Sequence, residues 1–175
     1  MTITNPTSGA FITKAWGDSV ADALNSIIPG GVIPGVVARE NIGQTITSGS
    51  NNNVQWTGAE DFDTHGFHDT STNPSRFTIP AGLGGLYMVS FNVYCAPATE
   101  VVAAWVIKNG GATRYALGQS KNDTTNGVTV QGAIPMKLVP GDYIEVQAFQ
   151  NSGSNKNINV GDALGFFAMY RVGPA

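Results

Sequence analysis

The sequence predicts an all-β protein, a β-sandwich or jelly roll of about ten short strands preceded by an N-terminal arm, on three observations. Short apolar runs and period-two patterns recur at regular spacing from residue 36 to the end, as in sandwiches and jelly rolls. Charged residues are only 12% of 175, against roughly 25% in an average soluble domain. Asn, Thr, Ser and Gln cover the surface instead and, with 22 Gly and 9 Pro, punctuate turns. A net charge of −3 without a basic run gives no footprint for phosphate neutralisation, so nucleic acid is not an expected partner.

Taken in order, residues 1–35 form the arm. Residues 13–28, TKAWGDSVADALNSII, carry the one helical period, with Trp16, Val20, Ala23, Leu24 and Ile27 recurring at three- and four-residue intervals. Thr13 serves as N-cap, Asp18 and Asp22 lie opposite the stripe, and Pro29-Gly30-Gly31 ends the helix. A four-turn helix is marginal alone in water, so its stripe must pack on its own domain or on another chain. Residues 36–175 form the second unit. Strands are expected near Val36–Glu40, Gln44–Thr47, Val54–Thr57, Arg76–Ile79, Leu86–Ala96, Val101–Lys108, Thr113–Ser120, Val128–Leu138, Tyr143–Gln150 and Leu164–Val172. Turns are expected at Asn109-Gly110-Gly111, Pro140-Gly141-Asp142 and Asn151-Ser152-Gly153.

Two strands are apolar on both faces: Val101–Ile107 has no alternation, and Leu164–Tyr170 is broken only by Gly165. One sandwich face needs only one apolar side, so the second points to a cover by the arm or to a subunit interface. The interface reading places Val102, Trp105, Ile107, Phe166, Phe167 and Tyr170 between copies of the chain. The single cysteine, Cys95, has no partner for an internal disulfide and sits in an apolar strand as a core thiol. The opening MTITNPTSGAF lacks both the basic and the apolar region of a signal peptide, and no stretch reaches about 18 apolar residues. Synthesis in the cytoplasm without membrane insertion is the expectation.

From Arg76 to Val172 the chain resembles a known pattern. RFTIP, GGLYMVSFNVYC, WVIKNG, VTVQGAIPMKLVPGDYIEVQA and LGFFAMYRV follow one another as in the globular-head module of complement. That module shares a trimeric ten-stranded jelly roll with tumour necrosis factor. Gly85, Tyr87, Val89 and Phe91, then Lys108-Asn109-Gly110, then Leu138, Gly141, Asp142 and Ile144, then Gly165 and Phe166 occupy the motif positions. The arm, with ITKAWGDSVADALNS, and the segment Trp56–Pro80 are similar to small structural proteins of tailed bacteriophages. This resemblance implies a virion location, a homotrimer, no enzymatic activity and no cofactor. It also implies that Trp16, Val20, Leu24 and Ile27 dock on a major capsid or tail protein. No collagen-like stalk is present.

The densest polar cluster is Glu60, Asp61, Asp63, His65, His68 and Asp69. Carboxylates and imidazoles at this density could hold a cation, but the spacing matches no ligand signature. Loop tethering by Asp and His is the simpler reading. Nucleophilic catalysis has no support, since Cys95 lies within an apolar strand and no G-x-S-x-G elbow exists. Three functions are therefore open: capsid decoration or a minor capsid protein, a tail-fibre or tail-tip module recognising a host surface glycan, and a non-viral secreted binding domain. The arm favours the viral readings, and the want of clustered exposed aromatics favours decoration.

Overall fold

The computed structural model describes residues 14–40, 43–97, 100–121, 125–158 and 165–174. The expected N-cap Thr13 and the strand start at Leu164 lie outside the described residues. Helix α1 spans Lys14–Ile27. Lys14 pairs with Asp18 at 2.6 Å, one turn apart as helical neighbours are. A short 3-10 turn at Pro29–Gly31 follows, with Gly30 and Gly31 at φ 67° and 76°, a backbone that glycine reaches without strain.

Twelve strands are found among the described residues where ten are expected. They are β1 (Gly35–Glu40), β2 (Gln44–Ile46), β3 (Asn52–Asn53), β4 (Glu60–Asp63), β5 (Phe77–Thr78), β6 (Gly85–Cys95), β7 (Val101–Lys108), β8 (Tyr115–Lys121), β9 (Val128–Leu138), β10 (Tyr143–Gln150), β11 (Lys156–Ile158) and β12 (Gly165–Gly173). The two additions, β4 and β11, are polar segments that take their form from a neighbour: β4 pairs with β1, and β11 pairs with β2 and β6. The expected strand at Val54–Thr57 is replaced by β3 just before it, and Trp56 is a buried core residue outside any strand.

All pairings are antiparallel and build two facing sheets. The seven-stranded sheet runs β2-β11-β6-β12-β1-β4, with β9 on the other side of β6; the five-stranded sheet runs β3-β10-β7-β8, with β5 on β10. Strand β6 alternates strictly, and its inward set Tyr87, Val89, Phe91, Val93 and Cys95 is buried, as the two-residue period requires. Opposite stand Val102, Ala104 and Val106 of β7 and Ile144, Val146 and Ala148 of β10. An aromatic stack anchors the core, with Phe77 and Phe167 3.7 Å apart at 14° and Trp56 tilted against both. Along one side the sheets close by a glycine contact: a Cβ on Gly118 would stand 2.4 Å from the Gln131 carbonyl oxygen. No larger residue fits where β8 crosses β9.

One end is stapled by Asp142. Its carboxylate accepts hydrogen bonds from Asn109 Nδ2 and the Val139 amide, each at 2.8 Å, and pairs with Lys108 Nζ at 2.7 Å. Burial alone would raise this carboxyl, but the bonds from Lys108, Val139 and Asn109 outweigh it and hold the group below its ordinary range. The two turns expected from Asn109-Gly110 and Pro140-Gly141-Asp142 are thus one joined structure.

Candidate functional site

The outer face of the seven-stranded sheet carries the largest apolar side chains that the sandwich leaves in solvent. Registers place Phe62, Val37, Ala168, Ser90 and Ala133 in one row across β4, β1, β12, β6 and β9. The adjacent row is Gly35, Tyr170, Met88 and Pro135. Met88 is 42% exposed, Tyr170 39% and Phe62 38%, with Leu86 and Val172 exposed beside them. Phe62 and Tyr170 meet at 5.8 Å between ring centroids. A hollow of about 270 Å³ lies at Ser90, Gln131, Gly132, Ala133 and Phe166, where the row is built of small residues. The rim is polar: Arg39 donates to both oxygens of Asp61 at 2.8 and 2.6 Å, and these hydrogen bonds draw the exposed Asp61 carboxyl below its usual range. A contiguous apolar face with a polar rim is the usual anatomy of a protein contact surface.

The residues predicted for an interface separate into three groups. Phe166 and Tyr170 lie on this outer face. Val102 and Phe167 point into the core and are fully buried. Trp105 and Ile107 occupy the outer face of the other sheet, where they form a second small cluster with Ala103 and Phe149. Trp105 is only 1% exposed: its Nε1 donates to Gln147 Oε1 at 3.1 Å, and the Arg114 guanidinium lies 3.9 Å over its ring. The second apolar face of β7 is therefore accounted for inside one chain and gives no ground for an interface there. Phe62, Leu86, Met88 and Val172 were not anticipated. The signal was present in β6, where Leu86 and Met88 are apolar at positions that alternation assigns to solvent.

The Glu60–Asp69 cluster is a set of loop ties. Both nitrogens of His68, whose side chain is fully buried, are engaged, one with Glu60 Oε1 at 2.7 Å and the other with the Pro74 carbonyl at 3.0 Å, and the ring stacks on Phe77. Asp63 accepts from the amides of His65, Gly66 and His68 at 2.8 to 3.2 Å. His65 bonds Thr64 at 2.8 Å. Asp69 caps Ser71 and Thr72, and these bonds lower its carboxyl strongly. Asp61 is engaged by Arg39. Among the described residues no three His, Cys, Asp or Glu side chains gather as a metal site would require. The Cys95 thiol faces the core, and burial pushes it up to about 11, which removes the thiolate that nucleophilic chemistry needs.

An open polar hollow of about 230 Å³ lies beyond the cluster, lined by Asp69, Thr72, Asn73, Arg76, Thr78 and Tyr143 among others. Arg76 stacks 4.2 Å over the Tyr143 ring and bonds the buried Glu145 at 3.4 Å. The arm's stripe is placed in part. Trp16 and Val20 are half-buried and Leu24 is 56% exposed; the side chain of Ile27 lies outside the described residues.

No protein-family model and no curated protein matches the chain. Solved structures do. The globular domain of the zebrafish complement 1qA protein aligns with a TM-score of 0.61 at 14% identity, over 81% of this chain and 99% of that one. Murine APRIL at pH 8.5 aligns at 0.57 and 13%, over 78% and 98%. The Eiger TNF of S. frugiperda aligns at 0.55 and 11%, over 82% and 94%. At such identities the likeness concerns the path of the backbone, and the chain has the jelly-roll sandwich fold of the complement globular head and of tumour necrosis factor.

Proposed function

We propose that this chain is a non-enzymatic structural protein that assembles as a homotrimer through the outer face of its seven-stranded sheet and is displayed on a bacteriophage particle, most simply as a capsid decoration or minor capsid protein. The observation that carries the reading is the exposed apolar face of Phe62, Met88, Tyr170 and their neighbours. These side chains are already about three-fifths buried, so covering the rest of each would contribute less than the roughly 1.5–3 kcal/mol of a full burial, and association needs the whole face. The trimeric state and the particle location rest on the sequence resemblances of residues 76–172, of the arm and of the segment Trp56–Pro80. Sedimentation at micromolar concentration tests assembly, and a stable monomer would refute it. Imaging of labelled particles tests location: hundreds of copies spread over the shell are expected, and absence from particles refutes the virion reading.

A second reading, a tail module that recognises a host surface glycan, is favoured by the polar hollow at Asp69, Asn73 and Arg76, whose donors and acceptors suit hydroxyl groups. A handful of copies confined to the tail would select it.

A further inference from the structure

Arg76 is fixed by its neighbours in a way that leaves its outer edge unused. Strand β5 sets Thr78 against Tyr143 and Phe77 against Ile144. Phe77 and Ile144 are buried in the core, so alternation turns Arg76 and Thr78 to the outer face of the five-stranded sheet, with Tyr143 and Glu145 of β10 beside them. Glu145 is only 3% exposed, and its Oε1 accepts from Ser75 Oγ at 2.7 Å, Asn53 Nδ2 at 3.0 Å and Arg76 Nε at 3.4 Å. The Tyr143 ring lies 4.2 Å under the guanidinium. Among the described residues no acceptor bonds either terminal nitrogen of Arg76, whose side chain is 42% exposed. A buried carboxylate is costly unless it is paired. Here the cation that pairs with it keeps its planar fork presented to solvent.

That fork stands in the wall of the polar hollow of about 230 Å³, with Asp69, Thr72, Asn73 and Thr78. The volume is below the range of drug-sized sites and suits a single sugar ring. The charges in the wall narrow the choice of ligand further. Two parallel bonds from the fork match a carboxylate, but a bare anion would also meet the like charge of Asp69, which calls for donors. A ring that carries one carboxylate and several hydroxyls satisfies both, and the Thr72 and Thr78 hydroxyls can give or accept the remaining bonds.

We propose that the hollow binds a carboxylate-bearing sugar, a uronic acid, with its carboxylate on Arg76 and its ring hydroxyls donating to Asp69. This names the ligand class for the glycan reading above and rests on it. Arg76 is then the residue that selects the acidic sugar over a neutral one.

Titration of the full-length protein, followed by amide NMR shifts, tests this with D-glucuronic acid, D-glucose and N-acetylglycine as probes. Glucuronic acid is expected to bind roughly tenfold or more tighter than the other two, with shifts gathered at residues 69–78 and at Tyr143. Glucose matching glucuronic acid overturns the carboxylate and leaves the glycan reading standing. N-acetylglycine matching it overturns the sugar, and shifts gathered elsewhere overturn the site. No shift with any probe overturns the whole inference, and an empty screen on host surface glycans would overturn the glycan reading too. Arg76→Lys keeps a cation beside Glu145 but loses the fork, so the preference for glucuronic acid over glucose should vanish. A variant that keeps the preference removes Arg76 from the site, and the wild-type comparison stands whether or not the variant folds.

Discussion

The outer faces of the two sheets start from similar chemistry and end differently. On the five-stranded sheet Trp105 and Ile107 are covered by their own chain, the indole roofed by Arg114 and hydrogen-bonded to Gln147. On the seven-stranded sheet Met88, Phe62 and Tyr170 have no comparable roof among the described residues and remain about two-fifths exposed. The same doubly apolar strand pattern thus marks an internal cluster in one place and an open surface in the other. What separates them is whether a long polar side chain, here Arg114, folds over the ring.

The largest effect that would test this contrast is at Trp105. Trp105→Ala should cost about 3–5 kcal/mol of folding stability, read by urea denaturation, with no direct effect on association of the folded chain. A variant as stable as wild type would show that the cluster is not core. Met88→Asp should do the reverse, weakening the proposed trimer roughly tenfold or more by placing a charge in an apolar contact. Its circular-dichroism spectrum should still report a folded sandwich, and unchanged sedimentation would remove Met88 from the interface. Removing the roof alone, by Arg114→Ala, should cost about 0.5–1 kcal/mol. If the exposed indole then creates a new contact surface, the variant will self-associate more strongly than wild type.

The smallest effect concerns the staple at the end shared by the two turns. The folded Asp142 carboxyl titrates below its unfolded value, which lies near 3.9. Its bonds therefore stabilise the fold above that pH, and the contribution disappears as pH falls through the lower folded value. Wild type should lose melting temperature on acidification below about pH 4, while Asp142→Asn should be less stable at neutral pH and show a shallower acid slope. Parallel profiles would mean that the carboxylate's charge contributes nothing.

Much of the fold was legible because strands and turns announce themselves locally. Strands β7, β9 and β10 lie at their expected bounds, and Asn109-Gly110 and Gly141 turn where glycine and asparagine should. Strands β4 and β11 escaped notice because Glu60–Asp63 and Lys156–Ile158 carry no apolar alternation, and it is pairing, with β1 for the one and with β2 and β6 for the other, that forms them. The Glu60–Asp69 cluster was readable as loop chemistry, since Asp beside turn amides bonds backbone over two to five residues. Its buried member was not: the carbonyl of Pro74 and the ring of Phe77 reach His68 only after the loop has folded.

By itself the sequence determined a mostly-β sandwich, because strand period and turn chemistry act over a few residues and need no partner. It did not determine which doubly apolar strand would face water. That depended on Gln147 coming beside Trp105 through the β7–β10 register, 42 residues away in sequence, and on the β7–β8 register shift between Ala104 and Val106 beside Arg114. Local pattern specifies which side chains are apolar, but burial is a property of what packs over them, and only the tertiary structure supplies the cover.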